Sequence, residues 1–358
     1  MAPQVGTYDV GMLLETRFDS VSAIEFGMDT LAEVVTRDLA AHSAIVNEMV
    51  MDVATPTTER NGIYGTGASG EMVEVDEYGR SETQVTTTGS TIALPLRLFQ
   101  YNVGWTKKYM ERATVRDIAL QTQAAQKAHL RRIRYDIKSA LFNSSNYTYV
   151  DHLIDRVSLS VKRLVNADSA TIPDGPDGST FDASTHTHYN ANATLTTTAL
   201  DASISDLLEH GHGGRVMAVI NYNDAASFAA LSGFVQATPT YVQAPAYNVA
   251  TTTARTDLGN QYDRLVGYYN AAEVWVKPWG IQNYVFLYDA AGSDKPLMFR
   301  QRNVAAPLQG LRLAAEFDAY PLYAKAFEAE FGFGVWTRTN GVVLRFNNGT
   351  YADPTITQ

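Results

Sequence analysis

Cysteine is absent from this chain of 358 residues. That removes disulfides, thiolate metal sites, iron–sulfur clusters and cysteine nucleophiles together, and it fits a reducing compartment. Long hydrophobic runs are also missing, so no segment reads as a membrane span. The first twenty residues, MAPQVGTYDVGMLLETRFDS, have neither a basic stretch nor an unbroken apolar core, which is not the pattern of a signal peptide. The expectation is a soluble protein made in the cytoplasm. Basic charge is scarce: 28 Lys and Arg against 38 Asp and Glu leave a net charge of −10. Such a balance argues against a dedicated nucleic-acid binder. Lysine does not occur before Lys107.

Apolar residues make up 45% of the chain, and 4 Trp, 20 Tyr and 14 Phe supply large anchors, so a substantial core is expected. Charge is unevenly spread. Between 107 and 138, nine basic residues face three acids, Glu111, Asp117 and Asp136, giving +6 and leaving −16 for the rest. The same stretch lies in TVRDIALQTQAAQKAHLRRIRYDIKSALFN, residues 114–143, which contains no Gly or Pro. Val115, Ile118, Ala125, Leu130, Ile133, Ile137 and Leu141 form one apolar line, interrupted by Thr122 and His129. A helix over about 113–143 is predicted, buried along a narrow stripe with a wet basic face. The line is too irregular for a coiled coil.

Residues 60–91 are the opposite case. Only 8 of these 32 residues are apolar. Met72–Val75 and Val85–Thr88 alternate like short strands around a turn at Glu77-Tyr78-Gly79-Arg80. Two strands alone are marginal in water, so this ribbon needs a partner surface, or else is a disordered loop. Upstream, Val21, Ile24, Met28, Leu31, Val34 or Val35, Leu39, His42, Ile45 and Met49 recur at helical spacing, as a core helix or an arm docked on a neighbour. Downstream, 168–179 is loop, 199–210 and 223–231 read as short helices, and Met217–Ile220, Glu273–Lys277, Tyr284–Tyr288 and Leu297–Arg300 read as strands. Phe331–Thr337 and Val342–Phe346 flank Asn340-Gly341, a hairpin signal.

Candidate chemistry is thin. Gly65-Thr66-Gly67-Ala68-Ser69-Gly70 matches a dinucleotide-loop pattern, but a polar stretch precedes it and strand-like alternation follows, where a strand and a helix N-terminus are required. His186-Thr187-His188 and His210-Gly211-His212 have ligand chemistry. Neither has a Cys or Glu at a familiar metal spacing, so surface histidine is the better reading and no metal is expected. His42 and His129 read as packed or solvated helix residues. No hydrolase, zinc-protease, P-loop or kinase signature occurs, and no catalytic residue or cofactor site is nominated. The run HLRRIRYDIK, 129–138, is either a solvated face or a contact for phosphates or acidic neighbours, through Lys127, Arg131, Arg132, Arg134 and Lys138.

The order of these elements, closing with EFDAYPLYAKAFEAEFGFGVWTRTNGVVLRF, resembles the major capsid proteins of tailed double-stranded DNA bacteriophages, which share the Hong-Kong-97-type fold. The resemblance covers nearly the whole chain and implies an α+β fold. Residues 1–58 would be the N-terminal arm and 59–106 the extension loop with its return strand. Residues 107–214 and 303–358 would form the peripheral domain around the spine helix, and 215–302 the axial domain. It further implies an icosahedral shell of pentamers and hexamers located in the virion, enclosing double-stranded DNA by non-specific contact. No cofactor and no membrane are implied; separate scaffolding, portal and decoration proteins are the implied partners. Glu71, Glu74, Asp76, Glu77, Arg80 and Glu82 of the ribbon would meet an adjacent subunit. A lysine crosslink from the extension loop is not expected, because residues 1–106 contain no lysine. The alternatives are an encapsulin-like compartment shell of the same fold, or a soluble enzyme with an unrecognised carboxylate or histidine site.

Overall fold

The structure is a computed structural model and describes residues 8–64, 72–75, 77, 79, 89–237, 263–292, 294–305 and 308–357. Two short helices, α1 (Val10–Leu13) and α2 (Ala23–Phe26), lead into α3 (Met28–Met51). Strands β1 (Ala54–Thr57), β2 (Asn61–Tyr64), β3 (Ser90–Ala93) and β4 (Arg97–Thr106) follow. The single turn α4 (Lys107–Met110) then precedes the spine, α5 (Val115–Phe142). The middle of the chain holds β5 (Tyr147–Val150), β6 (Ser158–Val161), β7 (Tyr189–Ala191), α6 (Thr197–Leu208), β8 (Val216–Ile220), α7 (Ala225–Ala229) and β9 (Phe234–Gln236). The remainder is strand: β10 (Arg264–Tyr269), β11 (Ala272–Val276), β12 (Tyr284–Asp289), β13 (Leu297–Gln301), β14 (Arg312–Ala319), β15 (Leu322–Val335) and β16 (Val342–Arg345). No helix among the described residues is long and apolar enough to cross a membrane.

The spine begins with a reciprocal cap. Thr114 Oγ1 accepts from the Asp117 amide, and the Thr114 amide donates to Asp117 Oδ2 at 2.9 Å. Two otherwise orphaned amides are thereby satisfied, and a carboxylate is placed at the positive end of the helix dipole. Thr122 and His129, which interrupt the apolar line, are both buried, and Thr122 Oγ1 turns back to the Ile118 carbonyl. The buried stripe is therefore continuous but partly polar. In α3 the buried residues are Leu31, Val34, Val35, Leu39, Val46 and Val50. Ile24 and Ile45 are exposed instead. The stripe lies in the same apolar cluster as spine residues Ile118, Ile133 and Ile137. Of the two expectations for this helix, packing within its own subunit is what is observed.

Two sheets flank that core. One has the order β1-β13-β15-β14, with β4 on the free side of β15. β4 and β15 run antiparallel through ten registered pairs, from Arg97 opposite Phe331 to Thr106 opposite Leu322. Phe99, Tyr101, Val103 and Trp105 of β4 face the core, and the alternate residues are exposed, as a half-buried strand requires. The other sheet has the order β7-β16-β12-β8-β11-β10-β9. Its central strands are covered on both faces. Met217, Val219, Phe286 and Tyr288 join the spine cluster, while Val216, Ala218, Ile220, Val285 and Leu287 pack with α6.

Several sequence expectations are corrected here. Asn340-Gly341 is not a hairpin turn: β15 and β16 lie in different sheets. Asn340 is buried, and its amide group bonds the Asp289 backbone on both sides, with Nδ2 also reaching the Asp294 carbonyl. The hairpin at this end of the chain is β14–β15 instead. The seven-stranded sheet also crosses the expected boundaries at 214 and 302. It takes β7 and β16 from outside 215–302, and β13 from inside that range pairs in the spine-side sheet. Met72–Val75 is not part of any strand.

A buried ion pair joins these layers. Arg300 of β13 donates to Asp151 Oδ2 through both terminal nitrogens, at 3.2 and 3.1 Å, and to the Leu94 carbonyl at 2.7 Å. Both side chains are almost wholly enclosed. Removing either partner would strand the other charge, at a cost of roughly 3–5 kcal/mol.

Candidate functional site

The ribbon springs from a rigid base. β2 and β3 pair antiparallel from Asn61 opposite Ala93 to Tyr64 opposite Ser90. Gly62 lies flat under the Trp336 ring; a Cβ there would come within 1.8 Å of it. Tyr64 is buried, donates to Thr339 Oγ1 at 3.0 Å and accepts from the Thr339 amide at 3.2 Å. Burial pushes its phenol up to about 12, so it remains a neutral donor. Arg60 is tied to Asp155 at 2.6 Å near the surface.

Beyond that base the described apolar residues lie open. Met72, Val73 and Val75 are exposed, as are Glu74 and Glu77. Glu71, Asp76, Arg80 and Glu82 lie outside the described residues, as do the glycine pattern at 65–70 and the strand expected at 85–88. Exposed apolar side chains recur elsewhere, among them Val150, Ile154 and Val157 around the β5–β6 turn, Val235 and Tyr268 on β9 and β10, and Phe317, Tyr320 and Leu322 at the β14–β15 tip.

The basic residues of the spine divide into two kinds. Lys127 and Arg131 are exposed. Arg132 is engaged inside the subunit: it grips Asp136 at 2.7 and 3.2 Å and lies over the Phe99 ring at 4.4 Å and the Tyr135 ring at 4.7 Å. Arg134 and Lys138 are half-buried, and burial lowers both pKa values, Lys138 being further lowered by Arg134. Elsewhere in the basic window, Lys107 pairs with Asp318 and Arg116 with Asp19. The stripe is thus neutralised in part by acids from distant segments, and the wet basic face contracts to Lys127, Arg131 and the edge of the Arg134–Lys138 pair.

The histidines are the largest departure from the sequence reading. His186, His188 and His210, expected on the surface, converge. His186 Nε2 lies 3.2 Å from His188 Nε2 and 3.0 Å from His210 Nε2. Glu209 Oε1 is 3.3 Å from His186 Nε2 and 3.7 Å from His210 Nε2. His188 is fully buried, and the His210 side chain is 2% exposed. Burial lowers all three imidazole pKa values, that of His210 to about 3. His212 points elsewhere, to Thr339 Oγ1 at 3.0 Å. His42 and His129 meet across α3 and α5 at 3.1 Å. The cluster is hard to see in the sequence because its two halves, His188 and His210, are 22 residues apart and joined through β7 and α6; the one legible signal was Glu209 directly beside His210.

No family model matches the chain, and no curated protein matches it. Solved structures do. A chain of Mycobacterium phage Patience aligns over 99% of this chain and 96% of its own length, with a TM-score of 0.67 at 18% identity. A chain from the capsid of an empty GTA particle aligns over 84% and 89%, with a TM-score of 0.50 at 13% identity. One from the mature capsid of bacteriophage PhiM1 aligns over 83% and 86%, with a TM-score of 0.50 at 8% identity. The fold is therefore the α+β, Hong-Kong-97-type capsid fold, as the order of elements led one to expect.

Proposed function

We propose that this chain is the major capsid protein of a tailed double-stranded DNA bacteriophage, assembling as pentamers and hexamers into an icosahedral shell around the genome. The observation that carries this reading is the ribbon: a segment hydrogen-bonded firmly at its base whose apolar residues Met72, Val73 and Val75 stand in solvent. Exposed apolar side chains grouped in this way mark a surface that is covered by a partner. The acids Glu71, Glu74, Asp76, Glu77 and Glu82 and the single cation Arg80 would supply polar partners around that contact. Each exposed pair contributes under about 1 kcal/mol, but a closed shell repeats every one of them. Lys127 and Arg131 would give weak, sequence-blind attraction to DNA. A separate scaffolding protein and a portal complete the assembly on this reading.

The similarity to chains of phage and GTA capsids supports a shell subunit, and the encapsulin-like alternative is not favoured. Negative-stain electron microscopy of the purified chain tests the proposal. Uniform closed shells, holding nuclease-protected DNA when isolated from infected cells, are expected. Shells holding only protein would move the reading to a compartment. A monodisperse monomer or dimer under every condition tried would overturn both.

A further inference from the structure

We propose that His186, His188, His210 and Glu209 bind one divalent transition-metal ion of the zinc class, in a closed structural site that fastens the long 167–187 loop to the C-terminal end of α6.

Protons alone cannot satisfy this cluster. The Gly341 carbonyl, 2.8 Å from His188 Nδ1, can only accept, so His188 carries its proton on Nδ1 and presents a bare Nε2 lone pair to the other rings. His186 Nε2 has one proton at most for two neighbouring ring nitrogens. If it donates to His188, then His210 must also present a lone pair there and carry its proton on Nδ1. That Nδ1 is buried with no hydrogen-bond partner. If His210 donates to His186 instead, two lone pairs confront each other at 3.2 Å between His186 and His188. Glu209 Oε1, also buried without a hydrogen-bond partner, aims at the same point. A cation in the middle accepts all four lone pairs at once.

The spacing fits a tetrahedral ion. Zinc bonds to nitrogen and oxygen of roughly 2.0–2.2 Å place tetrahedral ligand atoms roughly 3.3–3.6 Å apart. The measured separations of 3.0, 3.2, 3.3 and 3.7 Å bracket that range, and the four donor atoms all lie within 4.8 Å of one another. Three imidazoles and one carboxylate suit zinc, cobalt or nickel; magnesium and calcium prefer oxygen throughout. The surroundings also match a metal centre. His188 is oriented by its Nδ1–H bond to Gly341, the usual outer support of a metal-bound histidine. Phe181 forms an apolar wall, its ring 4.2 Å from that of His210 and 5.0 Å from that of His186. Glu209 and His186 remain partly exposed and give the ion a route in. The loop closed by this clamp has no helix or strand of its own, and structureless loops of that length within a domain are usually functional.

The test uses the full-length chain, stripped with a chelator and dialysed against Co²⁺ alone. The expected result is one cobalt per chain with the intense visible bands of four-coordinate Co²⁺, bleached on adding Zn²⁺. His186→Ala should weaken Co²⁺ binding by at least about 100-fold, beyond the 10–100-fold typical of losing an outer support. Glu209→Gln, a milder change at a partly exposed position, should perturb the bands with the fold intact by circular dichroism. His212→Ala, whose target is Thr339, should leave binding unchanged. Cobalt uptake by the native chain no greater than by a His186→Ala, Glu209→Gln double variant, or the weak spectrum of six-coordinate Co²⁺, would overturn the proposal.

Discussion

Asp224 is a carboxylate the fold encloses with too little support. Its Oδ2 accepts from the Asn283 amide at 2.9 Å, but burial dominates and raises its pKa to about 6. A carboxyl whose folded pKa exceeds its unfolded value of about 3.9 costs stability when ionised, and the cost is relieved as pH falls from about 6 to about 4. Asp224→Asn keeps an acceptor for Asn283 and removes the charge. At pH 7 it should stabilise the subunit by about 2–3 kcal/mol, and the gain should shrink toward zero near pH 4. Thermal melts of both proteins at pH 7, 5.5 and 4 check this; an equal effect at all three would refute the burial argument. Residues of this kind are hard to read in a sequence. Nothing around Asp224 distinguishes it from the chain's other acids, and the three converging histidines looked like surface residues for the same reason. Their character is set by what the fold brings over them.

The elements were legible where local physics decides them. The spine lacks Gly and Pro, carries a helical apolar line and starts on a Thr-x-x-Asp cap, so its observed span of Val115–Phe142 follows closely from the chain. The strands at β8, β11, β12 and β13 were visible as compact apolar runs. Legibility failed where pairing is decided by distant segments. Arg312–Ala319 is mostly exposed, so β14 has no inward face to betray it. Asn340-Gly341 has the chemistry of a tight turn, yet Asn340 spends it on Asp289 across the sheet boundary. At the base of the ribbon the decisive residue is Gly62. Gly62→Ala would drive a methyl into the Trp336 ring, which follows directly on β15 and would have to shift to admit it. The expected outcome is a loss of about 1–3 kcal/mol, with faster hydrogen exchange at Asn61–Tyr64 and Ser90–Ala93 than in the spine. Uniform exchange across both regions would show that the ribbon base is not a separate unit.

At the scale of the molecule, exposed apolar side chains are spread over the surface, from Ile45 and Leu120 on the helices to Met72, Val73 and Val75 of the ribbon, while the core runs from the N-terminal helices through both sheets. On the proposed shell reading, neighbouring copies would cover the ribbon group. A Met72→Ser, Val73→Ser, Val75→Ser variant should keep the melting temperature of the isolated subunit and lose most of its particle yield in sedimentation. A parallel fall in both would mean that these residues serve the subunit itself. Thr339 gives that arrangement a mechanical aspect. Its hydroxyl and amide hold Tyr64 at the foot of the ribbon, the same hydroxyl meets His212 from the loop after α6, and the residue sits on the crossing between the two sheets. On the proposed shell reading, a pull on the ribbon base would pass through Tyr64 to Thr339, and so reach both His212 and the link between β15 and β16.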